Sequence, residues 1–389
     1  MQNGQINFTR MERVVLGKPA AEAIAEEANK LGVDRVFLLV SGTLNRETDE
    51  IRKVETALGN QFCGLSDYMP AHSPRDAVIS CANMAREAGA DLLVTYGGGS
   101  VTDGGKAVTI CLEHGITDMD EMEPFRTSVG QDGNRIKPNY DAPSVRQVAV
   151  PTTLSGGEFN ARAGITDPRV ELKQSYMNPG IVPVSVILDG TATRHTPEWL
   201  FLSTGIRAVD HAVETYLSVD ANDFTDSSAL HALRLLGEAL PRVKADPNDM
   251  AARQKCLVGA WLSMSGIVTG TRLGASHAIG HILGGSANVP HGYTSCVMLP
   301  YVLEWNSSIN ADRQAHLATS LGKPGIPAAE ILDELIAGLG MPRRLADVGV
   351  GDNEFSQLAE NCMLDDWTFS NPRKIRSPGQ VMEILRMAT

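Results

Sequence analysis

The sequence predicts an α/β fold with a parallel sheet for the N-terminal half of the chain and an all-α fold for the C-terminal half. Up to about residue 190, short apolar runs that end at glycine alternate with segments of helical spacing, and after that point only helical spacing continues. The length of 389 residues exceeds what one hydrophobic core ordinarily supports. We therefore expect two domains, 1–190 and 191–389.

The elements of the first half follow one another in a regular order. An opening strand region, NFTRMERVVLG, precedes a helix over residues 19–32 that ends at a glycine. The other predicted strands are 34–42, 90–99, 146–153 and 184–190, and the other predicted helices are 73–89 and 103–115. This alternation predicts a parallel sheet covered by helices on both faces. Residues 116–145 interrupt it, and we expect a long loop there, either a solvated surface excursion or an active-site lid.

The second half has helical spacing throughout. Its helical segments are TPEWLFLSTGIRAVDHAVETYLS, DSSALHALRLLGEALPRV, MAARQKCLVGAWLSMSGIV, ASHAIGHIL and PAAEILDELIAGLG. Neither an internal repeat nor a low-complexity tract separates them. We therefore expect a single helical domain over 191–389.

Composition excludes several classes of partner. The net charge is −12 and no run is rich in lysine and arginine, so we expect no nucleic-acid partner. The sequence has no long apolar run, which predicts no membrane span and no secretory signal. The six cysteines are scattered without a CxxC pair, which is typical of reduced thiols in the cytoplasm. An acidic protein can still bind an anionic small molecule in a locally basic site.

A glycine-rich loop follows the predicted strand 90–99 in the stretch TYGGGSVTDGGKAV. Its glycines let the backbone approach a ligand closely, and the helix that follows offers free N–H groups, so the loop suits a pyrophosphate. The stretch is neither GxGxxG nor a P-loop, and a tight turn is the alternative. The candidate cofactor-binding residues here are Gly97, Gly98, Gly99, Ser100 and Asp103.

A second loop, PTTLSGGEFN, follows the predicted strand 146–153. Hydroxyl and small side chains at the carboxyl edge of a parallel sheet are typical of ligand sites in α/β folds. We take Thr152, Thr153 and Ser155 as candidate cofactor-binding residues, and we include Lys173 with them. Two such loops together favour a dinucleotide, NAD(H) or NADP(H), over a mere tight turn.

The loop SGTLNR after the predicted strand 34–42 bears on the choice of dinucleotide. An acidic residue at this place ordinarily binds the ribose 2′-hydroxyl, whereas a nearby arginine accommodates a 2′-phosphate. Here Ser41 and Thr43 are uncharged candidate cofactor-binding residues, and Arg46 is close by. The sequence therefore allows either cofactor, and the alternative for Arg46 is a simple surface position.

A second group of candidate residues lies on the predicted helices of the C-terminal half. In GIRAVDHAVETY, Arg207 precedes His211 by four residues, so both lie on the same helical face. In GASHAIGHILGGSANVPHG, His277 and His281 lie one turn apart and His291 follows ten residues later. A lone histidine is more often structural, but this clustering indicates a catalytic or metal-binding site.

Taken together, these motifs resemble those of the iron-containing alcohol dehydrogenases, a family that includes the maleylacetate reductases. The resemblance covers essentially the whole chain and rests on GGGSVTDGGKAV, PTTLSGGEFN, DHAVE, the HxxxH…PHG run and NPRKI. It implies a dehydroquinate-synthase-like architecture, with an N-terminal dinucleotide-binding, Rossmann-like domain and an all-α C-terminal domain. It also implies a homodimer.

The resemblance also bears on metal binding. In metal-dependent members, an aspartate and three histidines bind Fe²⁺ or Zn²⁺; the histidines correspond to His211, His277 and His291, and the aspartate corresponds to Arg207. A guanidinium has no lone pair to give a cation and repels it, which disfavours a metal, although three histidines alone are a known zinc ligand set. We do not expect Asp210 to replace the aspartate, because it points about 100° away from His211.

Two features favour the maleylacetate reductase branch. Those reductases also lack the aspartate, usually having asparagine there, and the PTTLSGGE loop has their length. Arg207 and Gly157 depart from the reductase pattern, so we expect a divergent relative with a substrate of its own. By resemblance, His281 lies near the substrate and takes part in proton transfer.

The sequence therefore predicts an NAD(P)H-dependent oxidoreductase. We expect it to reduce an oxo-enoate or carbonyl substrate that bears a carboxylate, as in the degradation of aromatic compounds. His281 is the leading proton donor, and the other three histidines are further candidates. One alternative is an Fe- or Zn-dependent alcohol or aldehyde dehydrogenase of the same family. Another is a dehydroquinate-synthase-like lyase, which the scarcity of basic residues near the motifs disfavours.

The sequence allows two interpretations of Arg207. Its guanidinium suits a bidentate interaction with a substrate carboxylate. The alternative is a structural ion pair with Asp210 or Glu214 on the same helix.

Overall fold

The computed structural model describes most of the chain, namely residues 6–129, 135–170 and 172–389. The internal contacts divide it into two compact units. An N-terminal unit comprises Phe8–Thr153 and Gly157–His195, and a helical unit consists mainly of Thr196–Thr389 with the short segment Leu154–Gly156.

The N-terminal unit is built on a parallel sheet. Its strands are β1 (Arg13–Leu16), β2 (Val36–Val40), β3 (Phe62–Ser66), β4 (Leu92–Gly97), β5 (Ser128–Val129), β6 (Arg135–Ile136), β7 (Arg146–Pro151), β8 (Arg162–Asp167), β9 (Leu172–Met177) and β10 (Ser185–Leu188). The central sheet has the order β1-β10-β7-β4-β2-β3, and every neighbouring pair in it is parallel. The predicted α/β class is therefore confirmed.

Helices cover both faces of this sheet. They are α1 (Ala20–Leu31), α2 (Gly42–Glu47), α3 (Glu50–Leu58), α4 (Arg75–Glu87) and α5 (Gly99–Glu113). Successive side chains of a strand point to opposite faces, and β2 shows the consequence. Leu38 packs in the core with α1 and α3, whereas Phe37 and Leu39 pack in the core with α4 and α5. Both faces are apolar, which is why the strands read as continuous hydrophobic runs.

Three regions differ from the expectation, and the first is the stretch between β2 and α4, where α2, α3 and β3 were not predicted. Within 116–145, where we expected a loop, the structure has a short 3₁₀ helix (Asp120–Phe125) and the antiparallel pair β5–β6; residues 130–134 lie outside the described part. The antiparallel hairpin β8–β9 was not expected either. Its second strand, LKQSYM, has no continuous apolar run of the kind that predicts the other strands. Most of its residues are at least partly exposed, so they need not be apolar.

The described residues after 195 form helices and no strands, which confirms the predicted all-α class. They are α6 (Glu198–Leu217), α7 (Asp223–Ala245), α8 (Met250–Ser263), α9 (Ser265–Val268), α10 (Ala275–Ser286), α11 (His291–Ser320), α12 (Ala328–Gly338), α13 (Phe355–Cys362), α14 (Asp366–Ser370) and α15 (Pro378–Met387). Short 3₁₀ turns connect several of them. Among the described helices, none is both long enough and apolar enough to cross a membrane.

Candidate active site

The helix α6 carries the first group of candidate residues, and most of its side chains are buried. Arg207, Asp210 and Glu214 are spaced by three and four residues, so they share one face of the helix. His211 is buried on the same helix, with 7% of its surface exposed. Because α6 packs against α10 and α11, it places a cation, two carboxylates and an imidazole beside them.

Glu214 anchors the N-terminus of α10. Its carboxylate accepts hydrogen bonds from the backbone N–H groups of Gly274, Ser276 and His277 at 3.1, 2.9 and 3.2 Å. The first N–H groups of a helix have no partner within the helix, and a carboxylate there also interacts favourably with the helix dipole. His277 Nδ1 lies 2.8 Å from Glu214 Oε2. Burial and the neighbouring Asp210 raise the pKa of Glu214 above its usual range.

The NPRKI motif completes this anchor. Asn371 Oδ1 accepts a hydrogen bond from the backbone N–H of Ala275 at 3.1 Å. The amide nitrogen of Asn371 donates to the carbonyl of Arg373 at 2.7 Å and to Asn306 Oδ1 at 2.8 Å. Asn371 of the NPRKI motif therefore positions the N-terminus of α10, the helix that carries His277 and His281.

Two hydroxyl groups bind Asp210, and one of them links it to Arg207. Asp210 Oδ2 accepts hydrogen bonds from Ser276 Oγ at 2.7 Å and Ser295 Oγ at 2.6 Å, and Arg207 Nη1 donates to Ser295 Oγ at 3.0 Å. Asp210 Oδ2 also lies 3.5 Å from His277 Nδ1. Asp210 was expected to point away from His211 on its own helix; it lies instead beside His277 of α10, because position 210 shares the face of α6 that contacts α10. Burial raises the pKa of Asp210, and the charge of Arg207 opposes this effect.

The guanidinium of Arg207 is bound on one side. Nη1 donates to Ser295 Oγ and, at 3.5 Å, to Thr294 Oγ1, whereas Nε and Nη2 donate to no atom of the described residues. The expected alternative, a direct ion pair with Asp210 or Glu214, does not occur among the described residues. Burial lowers the pKa of Arg207, and these two carboxylates partly offset that effect. The side chain stays partly exposed, so the Nε–Nη2 edge is available to a ligand.

His211 and His277 form a stacked pair, with ring centroids 4.8 Å apart and an interplanar angle of 25°. Burial and then the charge of Arg207 lower the pKa of both histidines well below the usual range, so both are neutral at pH 7. Within the described residues, His211 Nδ1 and His277 Nε2 are buried atoms without a hydrogen-bond partner. Two buried ring nitrogens therefore lie within the range of the Arg207 charge without a hydrogen-bond partner among the described residues.

The other two histidines lie on α10 and at the start of α11. His281 Nδ1 lies 2.8 Å from Asp365 Oδ2, and 33% of the histidine side chain is exposed. His291 is the first residue of α11, and a Cβ atom on Gly284 of α10 would come within 2.8 Å of its ring. The predicted catalytic histidines thus all lie on α6, α10 and the first turn of α11.

This arrangement does not fit the metal ligand set that the resemblance implies. Arg207 places a guanidinium where that set has a carboxylate. In the described part of the chain, one group of three metal-ligating residues has donor atoms within 4.8 Å of one another, and it consists of Asp210, Glu214 and His277. Both carboxylates of this group already accept hydrogen bonds from hydroxyl or backbone N–H groups. Hydrogen bonds thus connect this group to its neighbours, and the group does not include His211 or His291.

In the N-terminal unit, the glycine loop connects β4 to α5. A Cβ atom on Gly97 would come within 2.8 Å of Val101, and one on Gly98 within 3.1 Å of Thr153, so larger side chains would crowd this turn. The N–H group of Thr152 donates to the carbonyl of Gly97 at 3.0 Å, so the glycine loop and the PTTLSGGEFN loop are neighbours. The N-terminus of α5 lies beside them, and its binding of an anion stays a prediction.

Ser100 contacts a strained turn. Its Oγ accepts a hydrogen bond from the N–H of His72 at 3.1 Å, and its carbonyl accepts one from Ser73 Oγ at 2.8 Å. His72 and Ser73 have φ angles of 65° and 50°, a region that costs non-glycine residues roughly 1–3 kcal/mol and is concentrated at functional sites. Burial and the charge of Lys173 lower the pKa of His72. Lys173 extends over Gly164 of β8, on the hairpin that the sequence did not predict.

Asp103 belongs to a buried network. Its two carboxylate oxygens accept hydrogen bonds from Lys106 Nζ at 3.2 Å and from the backbone N–H of Gly164 at 3.0 Å. Lys106 Nζ donates to four oxygen atoms, those of Asp103 Oδ1, the Gly157 carbonyl, Asn160 Oδ1 and the Arg162 carbonyl. This network joins α5 to the residues that lead into β8. Ser155 lies in the segment Leu154–Gly156, which belongs to the helical unit.

The end of β2 lies beside the end of β4, because the N–H group of Ser41 donates to the carbonyl of Tyr96 at 2.9 Å. Thr43 is exposed at the start of α2. Arg46 Nη1 forms an ion pair with Asp67 at 2.8 Å, and 63% of the arginine side chain is exposed. The candidate residues after β2 and β4 thus line one edge of the sheet.

Comparisons with known proteins agree with this architecture. The sequence profile described as iron-containing alcohol dehydrogenase matches residues 11–190, and that of the C-terminal part of the Fe-containing alcohol dehydrogenase family matches residues 201–389. The chain is 32% identical to the maleylacetate reductase of Rhizobium sp. (strain MTP-10005), over 90% of this chain and 89% of that protein. It is 33% identical to the probable alcohol dehydrogenase EutG of Escherichia coli (strain K12), over 75% and 72% of the two chains.

A solved structure is also similar along the whole chain. The crystal structure of maleylacetate reductase from Agrobacterium tumefaciens has a TM-score of 0.83 at 27% identity, over 100% of this chain and 98% of that one. The chain therefore belongs to the iron-containing alcohol dehydrogenase family. It is an NAD(P)-dependent oxidoreductase that resembles the maleylacetate reductases, which confirms the resemblance inferred from the motifs.

Proposed function

We propose that this protein reduces, with NAD(P)H, an oxo-enoate or carbonyl substrate that bears a carboxylate, and that the reaction requires no divalent metal. The relatives named maleylacetate reductase support this substrate class. The observation that carries the proposal is the open Nε–Nη2 edge of Arg207, which donates to no atom of the described residues. That edge has the geometry for two parallel hydrogen bonds to a carboxylate.

The surroundings of Arg207 favour an anionic ligand. Its positive charge is held by hydroxyl groups of Ser295 and Thr294, which are neutral, and the nearest carboxylate, Asp210, is bound through Ser295. His211 and His277 are neutral, so neither ring adds a second positive charge to that of Arg207. A carboxylate at Arg207 would therefore meet one fixed positive charge in a partly buried site, where charge interactions are stronger than in water.

The residues of the glycine loop and its neighbours are proposed to hold the cofactor. The N-terminus of α5 suits the pyrophosphate, and the sheet edge near Ser41 suits the adenosine ribose. When bound, NAD(P)H supplies the hydride. For an oxo-enoate, hydride addition to the carbon–carbon double bond leaves an enolate on the oxo group, and one proton completes the reduction. His281 delivers this proton, while Arg207 binds the substrate carboxylate.

A metal-dependent alcohol or aldehyde dehydrogenase is the second candidate function. The clustering of Asp210, Glu214 and His277 within 4.8 Å favours it, as does the likeness to EutG. Under this alternative, the unpartnered atoms Asp210 Oδ1 and His277 Nε2 would be metal ligands. Retention of stoichiometric Fe or Zn after dialysis would favour this function over the proposed one. The cytoplasmic location and the homodimer stay predictions from the sequence.

The substitution Arg207→Met tests the proposal. With maleylacetate, we expect kcat/KM to fall about 100-fold, because a buried carboxylate–guanidinium interaction is worth about 2–5 kcal/mol when one partner is truncated. With a small neutral aldehyde, we expect a loss of less than about 5-fold, since no carboxylate is bound. Arg207→Lys keeps the positive charge but loses the planar guanidinium that can form two parallel hydrogen bonds. We expect its kcat/KM with maleylacetate to lie between those of the wild type and Arg207→Met.

Arg234→Met is the matched control for this experiment. Arg234 is 55% exposed on α7 and pairs with Glu238 within its own helix, so its loss should leave both activities unchanged. Equal losses for maleylacetate and the aldehyde in Arg207→Met would contradict a carboxylate interaction at Arg207.

A further inference from the structure

A carboxylate outside α6 and α10 reaches the histidine site. Asp365 lies between α13 and α14, and its Oδ2 is 2.8 Å from His281 Nδ1. The other oxygen, Oδ1, accepts a hydrogen bond from the N–H group of Trp367 at 2.9 Å and caps the N-terminus of α14. One carboxylate thus holds a helix end with one oxygen and an imidazole with the other. The side chain is only 15% exposed.

This contact determines which ring nitrogen of His281 carries the proton. An ionised carboxylate only accepts hydrogen bonds, so Nδ1 must be the N–H donor to Asp365. In the neutral ring, Nε2 then carries no hydrogen, and a proton gained by His281 is placed on Nε2. The ring therefore exchanges its proton at Nε2, the nitrogen that points away from Asp365.

The orientation of the ring is also constrained. The Trp367 ring lies 5.1 Å from the His281 ring at an interplanar angle of 34°, and 5.8 Å from the His277 ring in an edge contact. Because the cap on α14 ties Asp365 to the backbone of Trp367, the carboxylate and the indole move as one group. Together they hold the His281 ring in one plane with one tautomer.

We propose that Asp365 is a positioning residue for the proposed reaction, which fixes the tautomer and orientation in which His281 delivers its proton from Nε2. The inference rests on the proposed function, because it gives His281 its role as proton donor. The proton balance is simple: the Nε2 proton of the imidazolium forms the new bond to the substrate, and the neutral ring that remains keeps its Nδ1–H bond to Asp365.

The substitution Asp365→Asn separates positioning from a purely structural role. Asparagine is as good a helix N-cap as aspartate and has nearly the same shape, so the end of α14 is preserved. With its oxygen capping α14, the amide NH₂ faces His281 and donates to Nδ1, which moves the imidazole proton to Nε2. The folded structure is kept and the tautomer is inverted.

We would record the ¹⁵N signals of the imidazole nitrogens of His281, assigned with His281→Gln, together with steady-state kinetics on maleylacetate and NADH. We expect Nδ1–H in the wild-type chain and Nε2–H in Asp365→Asn. We also expect kcat to fall at least about 100-fold, as for loss of a general acid, with KM changed by less than about 3-fold. The affinity for NADH, measured by fluorescence titration, should be unchanged.

Asp249→Asn is the matched control. Asp249 also caps a helix through its side chain, at Ala252 N–H of α8, and it contacts Arg242 rather than a histidine. This variant should keep both the tautomer and kcat. A tautomer that stays Nδ1–H in Asp365→Asn would overturn the proposal, as would an inverted tautomer with kcat within about 3-fold of the wild type. Failure of the wild type itself to turn over any oxo-enoate would instead overturn the proposed function, and the spectra would still show whether Asp365 sets the tautomer.

Discussion

Each unit of the protein encloses a basic side chain, Lys106 fully and Arg207 partly, and the donors of the two are used in different ways. Lys106 in the N-terminal unit donates to four oxygen atoms, two of them backbone carbonyls. Arg207 in the helical unit donates to two hydroxyl groups from one of its nitrogens, and its other nitrogens have no partner among the described residues. A cation with every donor used stabilises the fold, whereas one with donors left over is available for a ligand.

The atoms around the two cations show the same difference. Three of the four oxygens that bind Lys106 belong to the residues that lead into and begin β8, so the loss of Lys106 would release this segment from α5. Near Arg207, the buried atoms Asp210 Oδ1, His211 Nδ1 and His277 Nε2 have no partner within the described residues. Unpartnered buried polar atoms cost stability, and their concentration around one cation indicates a binding site.

The largest effect is expected for Lys106→Met. This change leaves four oxygens without their donor and Asp103 without its counter-charge, so we expect the free energy of unfolding to fall by about 3–5 kcal/mol. Arg207→Met should lower it by about 1 kcal/mol or less, because only hydroxyl groups lose a partner. Urea titration of both variants measures the difference. A similar loss in the two variants would contradict the distinction between a structural and a ligand-binding cation.

The carboxyl of Glu158 provides a second test of the region around Lys106. Burial raises the pKa of Glu158 to about 7, and the charge of Lys106 opposes this shift. The raised pKa means that the folded state favours the protonated form, so its contribution to stability is complete below about pH 4.5 and is lost as the pH rises through 7.

We therefore expect the wild type to lose on the order of 3 kcal/mol of unfolding free energy relative to Glu158→Gln between pH 4.5 and 7.5. Glutamine cannot ionise and serves as the reference for this one group. Urea titrations of both chains across this pH range measure the difference. A difference that stays constant with pH would show that Glu158 does not titrate in this window.

The substitution Arg207→Asp tests whether Arg207 excludes a metal ion from the helical unit. It replaces the cation by the carboxylate that metal-dependent relatives have by resemblance, beside His211, His277 and His291. We expect Zn²⁺ affinity to rise at least about 100-fold over the wild type, because repulsion is removed and a ligand is added. Metal content after dialysis, measured by atomic emission, should approach one ion per chain in the variant alone. Equal metal content in the two proteins would show that Arg207 does not exclude the ion.

The smallest effect is expected for Arg46→Ala, which removes an exposed cation and serves as a reference for Lys106 and Arg207. The ion pair with Asp67 is solvent-exposed, so stability should change by less than about 0.5 kcal/mol. If Arg46 accommodates a 2′-phosphate, binding of NADPH should weaken about 5-fold relative to NADH. Fluorescence titrations with both cofactors measure this ratio. An unchanged ratio would leave Arg46 as a surface residue.

The sequence predicted the fold where the physical signal is local. Apolar runs such as VFLLV in β2 predict strands directly, because both faces of the sheet are buried. The helices of the second half are predicted by the 3.6-residue period of their apolar residues. The hairpin β8–β9 was missed because its second strand is largely polar and partly exposed. Its antiparallel pairing needs no crossover helix, so the alternation of strands and helices gave no indication of it.

The sequence predicted which residues form the candidate site but not which hydrogen bonds join them. Clustering and spacing indicated Arg207 and the histidines, whereas the roles of Glu214 and Asp365 depend on hydrogen bonds to residues more than sixty positions away. No local pattern shows such a contact. The acidic residue at position 214 was considered only as a partner for Arg207 on its own helix, and in the structure it binds the next helix instead.

The central claim is that the fixed charge of Arg207 serves this site without a metal ion. The most direct test is the oxidation of NADH and NADPH with maleylacetate by protein stripped of metals and assayed in excess EDTA. We expect turnover to persist after stripping and to gain nothing from added Fe²⁺ or Zn²⁺. Turnover that is absent in EDTA and restored by either ion would contradict this account and establish a metal-dependent site.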